Sequence, residues 1–221
     1  MSRLFLILMS LLLYSCTNRQ TAEEVINKAL VYQEEGKFDQ ALKLVNRAVQ
    51  MDSFSPTGYN KRGNIYLDLN DTIAAFADFT RAIHLDPKNT EALFNKGFVF
   101  SAQAKEDSAV AFYNLALKTK MHGGFLFRSN WESNDDLVDD IPIEVIRYYR
   151  AMTYVALESY TLALGDLYYA LSYQYEEAEC QYYIGLILIK QGQKLLGCDY
   201  LKKSVANGLK DGEKYLSDYC K

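Results

Sequence analysis

Hydrophobic and polar positions follow a long period in this chain, marked most clearly by small residues spaced 34 apart. They stand at Ala29, Gly63 and Gly97 and, after a longer step of 54, at Ala151 and Gly185. Twelve positions further on lies a second set, Ala41, Ala75, Ala109, Ala163 and Gly197, and seven beyond that a third, Ala48, Ala82, Ala116, Ala170 and Ser204. Tyr32, Tyr66, Phe100 and Tyr154 each follow the first small residue by three places, with Leu188 in that slot of the fifth unit. A register held over this period predicts five helix-turn-helix units, each a helix A followed by a helix B. The small positions belong where A and B cross, because only a methyl-sized side chain lets two backbones interlock.

The second unit carries the pattern most fully. Tyr59-Asn60-Lys61-Arg62-Gly63-Asn64-Ile65-Tyr66, then Ala75, Phe79, Ala82 and Asp86-Pro87, resembles the tetratricopeptide repeat (TPR) consensus. Pro87 ends the unit, since proline cannot continue helix B but suits the entry to the next helix. Units 1 and 3 match well. In units 4 and 5, Arg147 and Gln181 stand where a large apolar residue is usual, and Gly197 and Ser204 are expected to weaken the fifth crossing. The resemblance covers roughly residues 22 to 211 and implies an all-α, right-handed superhelical solenoid of about five TPR units with a C-terminal capping helix. A generic amphipathic bundle is the alternative, and five repeats in one register disfavour it.

The boundaries follow. Residues 1–15 read as a signal peptide: Arg3 gives a positive start, Leu4 to Leu13 an apolar run, and Leu13-Tyr14-Ser15-Cys16 resembles a bacterial lipobox, with Tyr14 where a small residue is usual. A run of about ten apolar residues falls short of the roughly twenty that span a bilayer. The resemblance implies cleavage before Cys16, acylation of that cysteine, and a short tether over 16–21. Thr17 follows it instead of the aspartate of inner-membrane retention, which favours the outer membrane. TPR units 1–3 then occupy 22–120, an insertion 121–141, units 4–5 142–211, and a capping helix 212–221.

Three further cysteines remain. In unit 5, helix B is expected over about 194–207 and a last helix over 211–220, with the turn near Leu209. Cys198 and Cys220 are equidistant from that turn, so an antiparallel pair brings them level and predicts a disulfide between them. Cys180 lies toward the other end of the hairpin, roughly 14 Å away at 1.5 Å per residue, and is read as a buried thiol. Tyr215, Leu216 and Tyr219 are expected to cover unit 5, with Glu213, Lys214 and Asp218 toward water.

The insertion holds the single tryptophan, Trp131, beside Glu132, Asp135, Asp136, Asp139 and Asp140. The Asp-x-Asp-x-Asp-Gly spacing of a calcium loop is missing, so no metal is expected there. Gly123-Gly124 reads as a flexible entry, and Asp140 as the cap of a helix begun by Pro142. In TPR proteins ligands lie in the concave groove lined by helix A. Carried onto this chain, that resemblance implies Ile26, Leu30, Asn60, Asn64, Phe94, Phe98, Tyr148, Met152, Tyr182 and Leu186 as groove positions. The Lys/Asn/Arg clamp for a carboxyl-terminal peptide is absent apart from the asparagines of unit 2, so an apolar protein or peptide segment is the expected partner.

Charge narrows the field. With 24 basic against 28 acidic side chains and a net charge of −4, nucleic acid is disfavoured. The two histidines, His84 and His122, sit in no catalytic constellation, and no phosphate-binding glycine loop, metalloprotease helix or nucleophile elbow occurs. No enzyme activity and no cofactor are expected. The resemblance implies an envelope adaptor or scaffold, similar to the TPR lipoproteins of β-barrel assembly or the pilotins of type IV pilus secretins. The alternative is a carbohydrate-binding lipoprotein that stacks sugars on Trp131 and the tyrosine-rich C-terminal half.

Overall fold

Four of the helices begin where a side chain satisfies an orphan amide of the first turn. Thr21 accepts from the Glu24 amide (3.1 Å) and Glu24 reaches back to the Thr21 amide (3.2 Å), a reciprocal capping box. Ser55, Asp71 and Asn89 accept in the same way from Gly58, Ala74 and Ala92. The computed structural model describes residues 20–123 and 141–220, and among these every regular element is a helix. Cys16, Trp131 and the acidic run from Glu132 to Asp140 lie outside the described residues.

The chain forms two compact units, divided between Pro87 and Lys88. The first holds two helical hairpins, α1 (Ala22–Glu34) with α2 (Phe38–Met51) and α3 (Pro56–Asp68) with α4 (Thr72–Leu85). The second holds three, α5 (Thr90–Ala102) with α6 (Glu106–Gly123), α7 (Ile143–Ala156) with α8 (Tyr160–Ser172), and α9 (Glu177–Lys190) with α10 (Lys194–Ala206), followed by α11 (Asp211–Tyr219) packed on α10. They correspond to the five helix-turn-helix units and the terminal helix expected from the sequence. Helix α6 is longer than its counterparts and runs to Gly123, so this glycine closes a helix where a flexible entry was expected. Pro142 occupies the N-cap of α7 and Ile143 its first turn.

The small positions lie at the crossings. Ala29, Ala41, Ala75, Ala109, Ala151, Ala163 and Ala170 are fully buried. A Cβ on Gly63 would stand 2.5 Å from the Phe79 ring, and one on Gly97 2.9 Å from the Tyr113 ring. The expected weak crossing of the fifth hairpin is corrected. A Cβ on Gly197 would meet the Gly185 carbonyl at 2.7 Å, so two glycines face each other because the backbones themselves touch. Ser204 is wholly buried in the same interface.

The turn between A and B has one conformation in all five hairpins. Gly36, Asn70, Ala104, Glu158 and Gly192, each seven residues after the first small position, take φ between 52° and 83°. The next amide donates to the carbonyl of Tyr32, Tyr66, Phe100, Tyr154 or Leu188, which closes the C-terminus of helix A.

A polar device repeats as well. Arg62 donates to both Asp78 oxygens (2.7 and 2.8 Å) and to Asn46 of the preceding hairpin (2.9 Å). In the second unit Arg150 grips Asp166 with the same pair of bonds and reaches Asn114 of the preceding hairpin. Between them in register, Lys96 lies over the Phe112 ring at 4.9 Å. The off-pattern residues of hairpins 4 and 5 have partners of their own: Arg147 stacks on Tyr169 at 3.9 Å, while Gln181 donates to Glu177 and accepts from Asn207.

Candidate functional site

The site is in the second unit, where the A helices α5, α7 and α9 present one face each to a common pocket of about 620 Å³. Helix α7 supplies Tyr148, Tyr149, Met152, Val155 and Ala156, spaced so that they share one face of a helix. Helix α5 adds Phe98, Ser101 and Ala102. Glu179 and Tyr183 of α9 complete the wall with Glu176, the residue before that helix, held in the left-handed region at φ 44°.

The rings are locked against each other edge to face. Tyr149 meets Phe94 at 5.3 Å, Phe98 at 5.7 Å and Tyr148 at 5.5 Å between centroids, and Tyr148 meets Tyr175 at 5.4 Å. Such pairs contribute roughly 0.5–1.5 kcal/mol each beyond area burial and hold the wall in one shape. Burial, with the nearby Cys180 and Glu176, pushes the Tyr148 hydroxyl well above its ordinary range. Burial with Tyr149 and Glu176 pushes Tyr175 up to about 12. Both hydroxyls remain protonated at neutral pH and can donate. Glu176 and Glu179 are the charged residues of the lining.

Of the groove positions expected from sequence, Phe98, Tyr148 and Met152 line this pocket. Ile26, Asn60 and Phe94 are instead buried, with 5%, 1% and 8% of their surface exposed, so they pack within their units and present no open surface. Phe94 is held between Tyr113 and Tyr149. Leu30 joins the cluster of Val25, Ile26 and Ala48. Asn64 is half-buried on α3. Tyr182 turns toward the terminal helix, its ring against Tyr215 at 5.7 Å, and Leu186 is half-buried outside the lining. Sequence reading missed Tyr149, Tyr183, Glu176 and Glu179. Tyr149 was in view as the neighbour of Tyr148, and Glu179 and Tyr183 share the i, i+4 spacing of one helical face.

At the end of the chain Cys198 and Cys220 are joined in a disulfide, with Cα atoms 5.7 Å apart. Cys180 is buried, its thiol donates to the Tyr175 carbonyl at 3.4 Å, and burial pushes its pKa up to about 12. Tyr215 and Leu216 of α11 are half-buried, whereas Tyr219, expected to be covered, is half exposed and stacks on Tyr215. His84 is exposed in the last turn of α4. Among the described residues no cluster of metal-ligating side chains occurs, and no helix is long and apolar enough to cross a membrane.

A family model, Tetratricopeptide repeat, matches residues 26–90 and 60–123. No curated protein matches the chain. Among solved structures, Pseudomonas aeruginosa PilF is similar at 13% identity and TM-score 0.69, over 85% of this chain and 76% of that one. PilW, a widely conserved type IV pilus biogenesis factor, is similar at 17% and 0.68, over 85% and 78%. YrrB, a TPR protein with an unusual peptide-binding site, is similar at 18% and 0.63, over 88% and 90%. At these identities the likeness is one of fold.

Proposed function

Because the chain is a tetratricopeptide-repeat protein, we propose that it is a non-enzymatic adaptor that captures a segment of a partner protein on the A-helix face of its second unit. The observation that carries this reading is the preformed pocket of about 620 Å³ on α5, α7 and α9, walled by interlocked aromatic rings. Apolar concavities with a few polar groups are the usual form of a recognition site, and a wall already rigid loses little entropy on binding.

In the same reading the chain works at a bacterial envelope, tethered through acyl chains on Cys16. The lipobox-like Leu13-Tyr14-Ser15-Cys16 supports the anchor, and the fold shared with the pilus biogenesis factor PilW is in keeping with that compartment. Several acyl chains hold a protein stably, at about 0.8 kcal/mol per buried methylene, which leaves the helical units free for the partner. The carbohydrate alternative gains no support among the described residues.

A photocrosslinker placed at Phe98, with exposed Lys43 as control, tests the groove. The expected result is one protein adduct from Phe98 alone, lost on Met152→Glu. Equal background from both positions refutes it. Metabolic acyl labelling tests the anchor: label is expected on the wild type and absent from Cys16→Ala, and an unlabelled wild type removes the lipid from the proposal.

A further inference from the structure

We propose that the pocket on α5, α7 and α9 selects a basic side chain, an arginine or lysine flanked by apolar residues, from the partner segment. This rests on the groove reading above and names the chemistry that the groove takes. Four rings line the pocket, Phe98, Tyr148, Tyr149 and Tyr183, together with two carboxylates, Glu176 and Glu179, and no basic residue. Neither glutamate takes part in an ion pair among the described residues.

The rest of the chain indicates what such a set of groups holds. Arg147 lies 3.9 Å over the Tyr169 ring and 3.9 Å from Asp166. Arg62 sits over Tyr59 at 5.3 Å while bonded to Asp78. Lys190 covers Tyr160 at 4.7 Å and pairs with Glu158 at 3.4 Å. In each case a tyrosine face and a carboxylate enclose one cation of the same chain. The pocket repeats that combination with the cation missing from its lining.

Physical chemistry favours the same occupant. Aromatic faces carry negative potential and attract ammonium and guanidinium groups, more strongly as water is excluded. A carboxylate at the rim adds a charge-assisted hydrogen bond, bidentate for arginine. A free carboxyl terminus would meet two like charges and rings of the wrong polarity. Met152, Val155, Ala102 and Ala156 form the apolar surface for the residues on either side of the basic one.

A random dodecapeptide library displayed on phage, selected on the detergent-solubilised full-length chain, tests this. The selected peptides are then titrated against wild type, E176Q/E179Q, E176K/E179K and M152E, with thermal melts confirming that each variant folds. The expected pool contains a basic residue between apolar ones, binds E176Q/E179Q at least about tenfold more weakly, and is rejected by E176K/E179K and M152E. Peptides rejected by M152E yet lacking a basic residue, or indifferent to E176Q/E179Q, overturn the selectivity and leave the groove standing. No enrichment, or peptides indifferent to M152E, overturn the groove itself.

Discussion

The two compact units share one scaffold and differ in what their A helices display. Each contains an arginine that bridges an aspartate sixteen residues on and an asparagine of the preceding hairpin, Arg62–Asp78–Asn46 in the first and Arg150–Asp166–Asn114 in the second. Each crosses its helices on the same small positions. Yet the A helices of the first unit carry the buried amide of Asn60, the half-buried Asn64, and a Gln33 that donates to Asp68. Those of the second carry rings and Glu179 around a cavity, with Glu176 beside them just before α9. Positions that set backbone distance are repeated, while positions one turn away are free to hold either packing or a site.

The largest effect in this comparison is expected from cutting the repeated ion pair. Removing one partner of a buried pair leaves the other charge desolvated and costs roughly 3–5 kcal/mol. Asp166→Ala strands two cations, Arg150 at 2.7 Å and Arg147 at 3.9 Å, whereas Asp78→Ala strands Arg62. Urea unfolding is therefore expected to show the greater loss for Asp166→Ala. Equal losses would mean that Arg147 owes its place to the Tyr169 ring alone.

The scaffold was far more legible in the sequence than the site, for a physical reason. A crossing tolerates almost nothing larger than a methyl group, so Ala29, Gly63 and Gly97 announce themselves by residue type. A groove tolerates many residue types, and whether a groove position is open depends on what packs over it. Phe94 reads from sequence as a groove residue because nothing local reveals Tyr113 and Tyr149 closing on it from other helices. The ion pair was legible in principle, as an arginine just before the small residue with an aspartate sixteen places later in two of five units. Glu176 was not, because its place at the rim depends on a left-handed backbone that favours glycine or asparagine over glutamate.

A smaller effect separates the two units at the chain end. The second unit is closed by α11, tied by Cys198–Cys220 across a separation of 22 residues. By loop entropy such a bond stabilises by about 3 kcal/mol. Cys220→Ser is expected to speed hydrogen exchange over 194–219 and to leave residues 22–85 unchanged. Cys180 serves as an internal control: buried, with its pKa at about 12, it should react with iodoacetamide only on unfolding. Alkylation of Cys180 in the folded Cys220→Ser protein would mean that the bond holds hairpin 5 together and not merely its cap.

The finest distinction lies in the five turns, where one backbone conformation is met by different residues. The first unit uses Gly36 and Asn70, both suited to positive φ, whereas the second uses Ala104 and Glu158 besides Gly192. A side chain in this region crowds its Cβ against the following carbonyl and costs roughly 1–2 kcal/mol, partly offset by the greater unfolded-state entropy of glycine. Ala104→Gly and Glu158→Gly are therefore each expected to stabilise by about 0.5–1 kcal/mol, and Gly36→Ala to destabilise by a similar amount. Thermal melts of the three variants decide the matter. Glu158 offers the sharper test, because its carboxylate pairs with Lys190 at 3.4 Å, an exposed pair of the kind that contributes little. If Glu158→Gly stabilises less than Ala104→Gly, the shortfall measures that pair; if it stabilises equally, the pair contributes nothing and the second unit retains glutamate there at a net cost to its fold.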